Sequence, residues 1–262
     1  MSLKTRLIPV LYIKNGLIVR SEGFSYHQMI GNVINEAKRY NEWNVDELIY
    51  IDISRTNKYD LRRNDHKIQS YGTIEEIIDI ISKVCFMPLT FGGGIRSMEQ
   101  VDQIIRSGAD KVCINTGGFE NNDLITQVSN SYGAQCVVIS IDYKVVDSQP
   151  TVFTKFGQNN TGKSVFTWIK ECENLGAGEI FLNSIDRDGK ANGYDIETIS
   201  KAVETTKLPV IACGGAGQLE DFVKLVKNAN VSAIAAGNIF HFTELSYPRA
   251  KILLKKEGLN FR

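Results

Sequence analysis

Eight short apolar runs, separated by longer amphipathic segments, dominate this 262-residue chain. Each run is apolar at consecutive positions, a pattern typical of parallel strands covered on both faces. The runs are Leu7–Ile13, Leu48–Ile53, Phe86–Phe91, Lys111–Ile114, Cys136–Ile141, Glu179–Leu182, Leu208–Cys213 and Val231–Ala236. Eight strand–helix units in a chain of this length predict an α/β fold, a (β/α)8 TIM barrel, with a doubly wound open sheet as the alternative.

The segments between the runs carry helical patterns. "TIEEIIDIISKV" places four isoleucines at the i, i+3, i+4, i+7 spacing of one helix face: Ile74, Ile77, Ile78 and Ile81. A further helical pattern, "MEQVDQIIRSG", ends at Gly108, a residue type that often terminates helices. We expect a single barrel domain covering residues 1–262.

The two halves of the chain resemble each other. "LTFGGGIRSMEQ" at 89–100 is similar to "IACGGAGQLED" at 211–221, and "GADKVCINT" at 108–116 is similar to "NANVSAIAAGN" at 228–238. The separation is close to half the chain in both cases. A barrel built from two similar halves of four units would give this pattern.

The charge balance excludes some classes of partner. The chain carries 30 basic and 30 acidic residues, so bulk electrostatics do not favour nucleic acid or a membrane. No apolar run approaches the roughly 20 residues of a membrane-spanning helix, and the N-terminal segment lacks the pattern of a signal peptide.

The five cysteines show no C-x-x-C spacing. We therefore expect a reduced, cytoplasmic protein without structural disulfides or zinc.

Two glycine clusters follow predicted strands at repeat-related positions. "FGGGIRS" contains Gly93 and Gly94, and "CGGAGQ" contains Gly214 and Gly215. Glycines there let the backbone approach a ligand, and free N–H groups near a helix start bind phosphate. The next strand of each half ends in further candidates for phosphate binding: Asn115, Thr116, Gly237 and Asn238. These clusters predict a ligand with a phosphate at each end, with tight turns as the alternative.

Carboxylates also follow predicted strands. The candidates for acid–base chemistry or substrate binding are Asp52, Asp142, Asp186 and Asp188, with Gly189 beside the last of them. In a barrel all would face one mouth, where burial and neighbours can tune their pKa values. A functional role is favoured for Asp142, which caps the apolar strand "CVVISID". For Asp188, in "RDGK", a turn role is an equal alternative.

A third set of charged residues opens predicted strands at the opposite end. Two cations and two anions begin or precede the first, second, fourth and sixth strands: Arg6, Glu47, Lys111 and Glu179. The sequence predicts an electrically neutral ring that plugs the bottom of the barrel. From the residues alone this ring is structural, because that face of a barrel normally serves stability.

The remaining polar features carry less information. The polar segment Ser54–Gly72 is long and rich in Lys and Arg, and we interpret it as a solvated loop, with a substrate lid or partner contact as alternatives. The three histidines, His27, His66 and His241, lack a cysteine, a serine or a second histidine at useful spacing. No motif calls for a metal ion or a cofactor.

Seven segments together resemble the cyclase subunit of imidazole glycerol phosphate synthase. In order they are "DELIYIDIS", "FGGGIRS", "GADKVCINTGGFEN", "SIDYKVVDSQPTVFTKFGQNNTG", "GAGEIFLNSIDRDGKANGYD", "LPVIACGGAGQLEDF" and "FHF". The resemblance runs from about Thr5 to the C-terminus. It implies a (β/α)8 barrel with two-fold internal symmetry and a diphosphorylated small-molecule substrate.

The resemblance also implies a partner. In that family a glutaminase subunit docks at the bottom of the barrel, and its ammonia passes along the barrel axis. At the top, ammonia reacts with a phosphoribosyl-aminoimidazole-carboxamide intermediate to give imidazole glycerol phosphate and an aminoimidazole carboxamide ribotide. The residues that match the family's ammonia gate are Arg6, Glu47, Lys111 and Glu179, and Asp110 matches a position at the glutaminase interface.

The top of the barrel departs from the family pattern. The catalytic positions implied by the resemblance are Asp142, Tyr12, Arg20 and Asp52. Tyr12, in "IPVLYIKNG", stands where the family has a catalytic aspartate, and Arg20 stands where it has a lysine. A carboxyl and a phenol differ by about six units in ordinary pKa. Loss of an acid–base group commonly costs about 10²–10⁴-fold in rate.

Our leading hypothesis is therefore a divergent family member. It resembles the branch associated with amidation of bacterial surface sugars, in which ammonia serves a separate sugar amidotransferase. The second hypothesis is a histidine-pathway cyclase with an altered acid–base set. A related isomerase barrel is opposed by the ring at the bottom, and a purely structural scaffold is opposed by the glycine clusters and Asp142.

Overall fold

The computed structural model describes residues 4–54, 59, 71–242 and 244–262, and those residues contain twelve strands, ten α-helices and one short 3-10 helix at Ala134–Cys136. The strands are β1 (Arg6–Lys14), β2 (Leu17–Glu22), β3 (Tyr26–Asn32), β4 (Leu48–Asp52), β5 (Leu89–Gly92), β6 (Lys111–Ile114), β7 (Val137–Val146), β8 (Gln149–Thr154), β9 (Asn159–Ser164), β10 (Glu179–Ser184), β11 (Val210–Cys213) and β12 (Ala233–Ala236). The helices are α1 (Val33–Glu42), α2 (Ile74–Val84), α3 (Met98–Arg106), α4 (Thr116–Glu120), α5 (Asp123–Tyr132), α6 (Val165–Asn174), α7 (Ile196–Thr205), α8 (Leu219–Ala229), α9 (Asn238–Phe242) and α10 (Ser246–Lys256).

Eight of the strands close into a parallel barrel. The order around it is β1, β4, β5, β6, β7, β10, β11 and β12, and β12 pairs with β1 to complete the circle. The closing pair begins with Arg6 opposite Ala233. The predicted (β/α)8 barrel is confirmed, and the doubly wound open sheet is excluded because an open sheet has two unpaired edges.

The four remaining strands form two antiparallel extensions at equivalent places. β2 and β3 continue from β1, and β8 and β9 continue from β7. β1 and β7 are the first strands of the two half-barrels. The half-chain repeat of the sequence therefore reappears in the fold, down to the hairpin that follows each first strand.

Several strands begin later than the sequence predicts. β5 begins at Leu89 and β11 at Val210, each directly after a proline. Proline has no N–H to donate to a sheet ladder, which explains the delayed start. Phe86, which the prediction placed in a strand, is 86% exposed.

The helices begin and end for local reasons. Thr73 caps α2 by accepting a hydrogen bond from the Glu76 amide, and the isoleucines at 77, 78 and 81 are fully buried against the barrel. α3 ends just before Gly108, as predicted, and that glycine has a φ of 113°. No helix in the described part of the chain is long or apolar enough to cross a lipid bilayer.

Replacement of Gly108 tests the close contact between α2 and the turn after α3. A Cβ at Gly108 would lie 2.5 Å from Ser82 Cβ, whereas Gly258, also at positive φ, has open space around it. We expect Gly258→Ala to lower the free energy of unfolding by about 1 kcal/mol, from backbone strain alone. Gly108→Ala should lower it by about 2–4 kcal/mol, because strain and overpacking add. Urea unfolding measures both, and equal losses would contradict the contact.

Candidate active site

The inside of the barrel is an apolar column between two polar rings. Alternate residues of each barrel strand face the axis. On β10 these are Glu179, Phe181 and Asn183, and on β6 they are Lys111 and Cys113. The interior cluster consists of Ile8, Val10, Tyr12, Val19, Ile49, Cys113, Val138, Phe181, Ile211, Cys213, Ala233 and Ala235. Four residues of strand separate the rings on β10, a rise of about 13 Å.

The lower ring is a closed circuit of ion pairs. Arg6 Nη1 lies 2.6 Å from Glu47 Oε2, and Lys111 Nζ lies 2.8 Å from Glu47 Oε1 and 3.1 Å from Glu179 Oε2. Arg6 also pairs with Glu179, and Thr90 Oγ1 donates to Glu47 over 3.1 Å. Burial alone would raise the pKa of Glu47, but the charges of Lys111 and Arg6 outweigh it and lower that pKa. The structure thus brings together all four residues that the sequence assigned to the ring.

The upper ring is centred on Asp142 at the end of β7. Asn115 Nδ2 donates to Asp142 Oδ2 over 2.6 Å. Burial raises the pKa of Asp142 to about 7, the charge of Asp188 adds to the rise, and hydrogen bonds from Asn115 and Asn183 oppose it. A carboxyl that titrates near neutral pH can both give and take a proton, which suits a general acid–base.

Tyr12 occupies the two-fold equivalent of Asp142. In the sheet register Tyr12 lies opposite Ile51, as Asp142 lies opposite Asn183. The tyrosine faces the interior, and its hydroxyl accepts a hydrogen bond from Asn183 Nδ2 over 3.2 Å. Burial raises the pKa of Tyr12 well above its ordinary value, and the thiol of Cys213 and nearby carboxylates add to the rise. The phenol stays protonated at neutral pH, so the upper ring holds one titrating carboxyl.

Asp52 is not brought to Asp142. Its neighbours Ile51 and Ile53 pack on the interior cluster, so the side chain between them lies on the opposite side of the strand. Asp52 accepts hydrogen bonds from the Tyr59 hydroxyl over 2.9 Å and from the Ser54 amide over 2.8 Å. Burial raises the pKa of Asp52, and these hydrogen bonds oppose the rise. Its contacts anchor the start of the long polar segment, most of which lies outside the described residues.

Asp188 holds the β2–β3 hairpin at the barrel mouth. Its carboxylate accepts from Ser21 Oγ over 2.6 Å and from the Phe24 amide over 3.3 Å, and the Gly23 amide donates to its carbonyl. Burial raises the pKa of Asp188, which these hydrogen bonds oppose. Asp186 accepts from the Val145 amide. Both carboxylates therefore have hydrogen-bond partners within the chain, and the choice between a turn role and a functional role for Asp188 stays a prediction.

Arg20 lies on β2 above the mouth, among aromatic side chains. Its guanidinium is 5.5 Å from the centre of the Tyr26 ring and 5.9 Å from that of Phe242. Arg20 Nη2 lies 3.5 Å from Glu22 Oε2. Within the described residues, no hydrogen bond or ion pair joins Arg20 to Asp142 or Tyr12.

The glycine clusters adopt backbone conformations that favour glycine. Gly93, Gly94, Gly214 and Gly215 all have positive φ. A Cβ at Gly93 would lie 2.1 Å from the Asp52 carbonyl oxygen, so only glycine fits there without movement.

The other phosphate-binding candidates lie where the following strands end. Thr116 and Asn238 begin the short helices α4 and α9, directly after Asn115 and Gly237. Gly189 has a φ of 70° and packs against the Ser21 carbonyl. The arrangement keeps two glycine-rich ends on one face of the barrel.

Several contacts of this site were not predicted from the sequence. Asn183, Ser140 and Ser21 were not among the candidates, although each is less than a tenth exposed. The sequence did contain one indication for Asn183, the alternation of side chains along a strand. Asn183 lies two residues beyond Phe181 and four beyond Glu179, so all three side chains face the same side of β10. Among the described residues no group of histidine, cysteine, aspartate or glutamate could hold a metal ion.

Comparison with known proteins identifies the family. A family model described as "Histidine biosynthesis protein" matches residues 6–246. The chain belongs to the histidine biosynthesis protein family. Its relatives include proteins named imidazole glycerol phosphate synthase subunit HisF. The one from Natranaerobius thermophilus is 36% identical over 260 residues, covering 99% of each chain. The one from Sulfurisphaera tokodaii is 40% identical over 257 residues, covering 98% of each, and one from a Thermotoga species is 39% identical over 260 residues, covering 99% of this chain and 98% of its own.

Membership of the histidine biosynthesis protein family confirms the resemblance drawn from the seven sequence segments at the level of the family. The similarity extends over nearly the whole length of this chain and of each of the three relatives. The narrower placement in a surface-sugar branch stays a prediction, as do the individual roles of the site residues.

The raised pKa of Asp142 predicts a pH-dependent effect on stability. The carboxyl ordinarily titrates near 3.8 and titrates near 7 in the folded chain. Between these pH values the folded state therefore binds more protons than the unfolded state. The stability that depends on the protonated Asp142 is complete below about pH 4 and is lost as the pH rises through 7. Relative to wild type, Asp142→Asn should gain about 2–4 kcal/mol in free energy of unfolding between pH 4 and pH 8. Urea unfolding at both pH values measures this, and parallel curves would refute the shifted pKa.

Proposed function

We propose that this protein is the synthase subunit of a glutamine-dependent complex of the imidazole glycerol phosphate synthase type. It receives ammonia from a glutaminase subunit at the lower ring and uses it at Asp142. The observation that carries the proposal is the apolar column, which connects an ionic ring at one end to an acid–base group at the other.

The column suits ammonia better than ammonium. A charged ion entering an apolar interior loses its hydration at high cost, whereas a small neutral molecule loses far less. Arg6 and Lys111 repel a cation at the lower ring, while Glu47 and Glu179 are already neutralised by them. Under this proposal ammonia enters the column past the four ion pairs that form the ring.

The surface around the lower ring is the proposed docking face for the glutaminase. Asp110 is exposed directly before Lys111, and its carboxylate accepts a hydrogen bond from the Leu89 amide over 2.8 Å. A fixed, exposed carboxylate beside the gate is suited to pair with a basic residue of a partner. Such a contact would couple docking to the position of Lys111.

The proposed substrate is a small molecule with a phosphate at each end. The two glycine clusters, with Thr116 and Asn238 at the starts of short helices, lie on the face that Asp142 occupies. Free amide groups at such turns are suited to bind phosphate oxygens. Asp142 would then lie between the two phosphates and act on the centre of the substrate.

The final acceptor of ammonia is the finer part of the proposal. Tyr12 leaves the upper ring with one titrating carboxyl, and a ring closure that needs two would be slowed. This supports our leading candidate, in which ammonia serves amidation of a bacterial surface sugar through a separate sugar amidotransferase. The second candidate is the histidine-pathway cyclase itself, supported by the name of the relatives and by their similarity along the whole chain.

Substitution of Tyr12 distinguishes the two candidates. The purified chain is supplied with ammonium at alkaline pH, and consumption of the diphosphorylated histidine-pathway intermediate is followed. The leading candidate predicts turnover about 10²–10⁴-fold below that of an ordinary cyclase. Tyr12→Asp should recover at least about tenfold, because it supplies a second carboxyl in place of a phenol that stays protonated, while the uncharged control Tyr12→Asn should not. Wild-type turnover equal to that of an ordinary cyclase would instead establish the histidine-pathway candidate.

The lower ring and docking face are tested with the cognate glutaminase. Asp110→Lys should weaken the complex by about tenfold or more through charge reversal, whereas Asp79→Lys, on the exposed side of α2, should not. Lys111→Glu should preserve ammonium-dependent turnover and reduce the product formed per glutamine hydrolysed. Analytical ultracentrifugation and paired glutamine and product assays provide the readouts. Unchanged coupling in Lys111→Glu would make the ring purely structural.

A further inference from the structure

Asn183 combines deep burial with a position at the top of the column. It lies on β10, opposite Asp142 on one side and Cys213 on the other. Its side chain belongs to the inward-facing series that begins with Glu179 and continues through Phe181. Asn183 is 2% exposed. The amide group of Asn183 therefore lies at the upper end of the column, between Asp142 and Cys213 in the sheet register.

The amide nitrogen of Asn183 has a partner within the chain. Nδ2 donates a hydrogen bond to the Tyr12 hydroxyl over 3.2 Å. This contact turns the nitrogen of the amide toward Tyr12 and leaves the amide oxygen, Oδ1, on the other side of the group.

The amide oxygen of Asn183 has no partner. No donor in the described part of the chain reaches Oδ1. The oxygen faces the second glycine cluster, 3.3 Å from the place that a Cβ on Gly214 would occupy. Buried polar atoms of folded proteins are almost always hydrogen-bonded. An acceptor without a donor, beside Asp142 and at the end of the column, therefore points to a ligand that carries N–H or O–H groups.

We propose that Asn183 Oδ1 is the binding group for ammonia at the top of the barrel, accepting one of its N–H hydrogens beside the Asp142 carboxyl. Ammonia has three N–H donors and one lone pair, so it can fill this acceptor and still present the lone pair to a substrate. The inference rests on the proposed function for the arrival of ammonia along the column. It adds a binding residue that orients the nucleophile.

The other groups around Asn183 Oδ1 are engaged differently. The Tyr12 hydroxyl oxygen accepts from Asn183, and Asp142 Oδ2 accepts from Asn115 over 2.6 Å, although the carboxyl keeps further lone pairs. The column below is lined at this level by Phe181 and Cys213, which offer no strong acceptor. An ammonia molecule held by Asn183 Oδ1 can therefore donate a second hydrogen to the Asp142 carboxyl.

Nuclear magnetic resonance of the full chain tests binding directly, without turnover. The side-chain amide of Asn183, labelled with ¹³C and ¹⁵N, is assigned by its loss in Asn183→Leu. Ammonium chloride at alkaline pH should shift this signal saturably, and tetramethylammonium chloride at equal ionic strength should not, because it has no N–H donor. Asn174, exposed at the end of α6, is the internal control and should not shift. An unmoved Asn183 signal, or an equal shift with tetramethylammonium, would overturn the proposal.

A kinetic comparison separates this inference from the proposed function. Asn183→Leu should raise the KM for ammonia about tenfold, the effect of one lost hydrogen bond, and leave the KM for the diphosphorylated substrate unchanged. A shifted Asn183 signal in a chain that forms no complex with the cognate glutaminase would support ammonia binding and contradict the proposed function. Turnover with an unchanged KM for ammonia in Asn183→Leu would support the function and overturn the role of Asn183.

Discussion

Closure of the sheet through the β12–β1 and β7–β10 pairings is the constraint on which the rest of the molecule depends. Once eight parallel strands form a circle, alternate side chains must face the axis. The same parity that places Glu179 in the lower ring then places Asn183 in the upper ring, with Phe181 between them. The two rings and the apolar column therefore all follow from one sheet register. A shift of β10 by one residue would turn Glu179, Phe181 and Asn183 away from the barrel axis.

The two half-barrels have diverged at their upper ends. β7 and β10 carry Asp142 and Asn183, whereas the equivalent places on β1 and β4 are Tyr12 and Ile51. The polar groups thus cluster on one sector of the mouth. The ring of Tyr12 reaches across from the other sector, within 4.0 Å of a Cβ position on Gly237, and ends on Asn183. The hydrogen bond between Asn183 and the Tyr12 hydroxyl thus joins the two sectors of the mouth.

Much of this could be predicted from the sequence because it depends on local pattern. Continuous apolar runs gave the strands, glycine clusters gave the tight turns, and charges at the starts of strands gave the lower ring. Contacts between residues far apart in the chain, such as Ser21 with Asp188 and Asn183 with Tyr12, depend on barrel closure and hairpin geometry. The direction of the Asp52 side chain could not be predicted either, because a carboxylate at the end of a strand can face either side of it. In the structure Ile51 and Ile53 face the interior, and Asp52 faces the other side and contacts Tyr59.

The chemistry of the upper ring follows from its charge. With Tyr12 protonated, the interior groups of the ring hold at most one negative charge, on Asp142, whose pKa of about 7 leaves it part ionised at neutral pH. Stronger donation from Asn183 and Asn115 would hold that pKa lower and weaken the carboxylate as a base. Weaker donation would leave it protonated. Asn183, which also donates to the Tyr12 hydroxyl, therefore links the protonated phenol to the carboxyl that titrates.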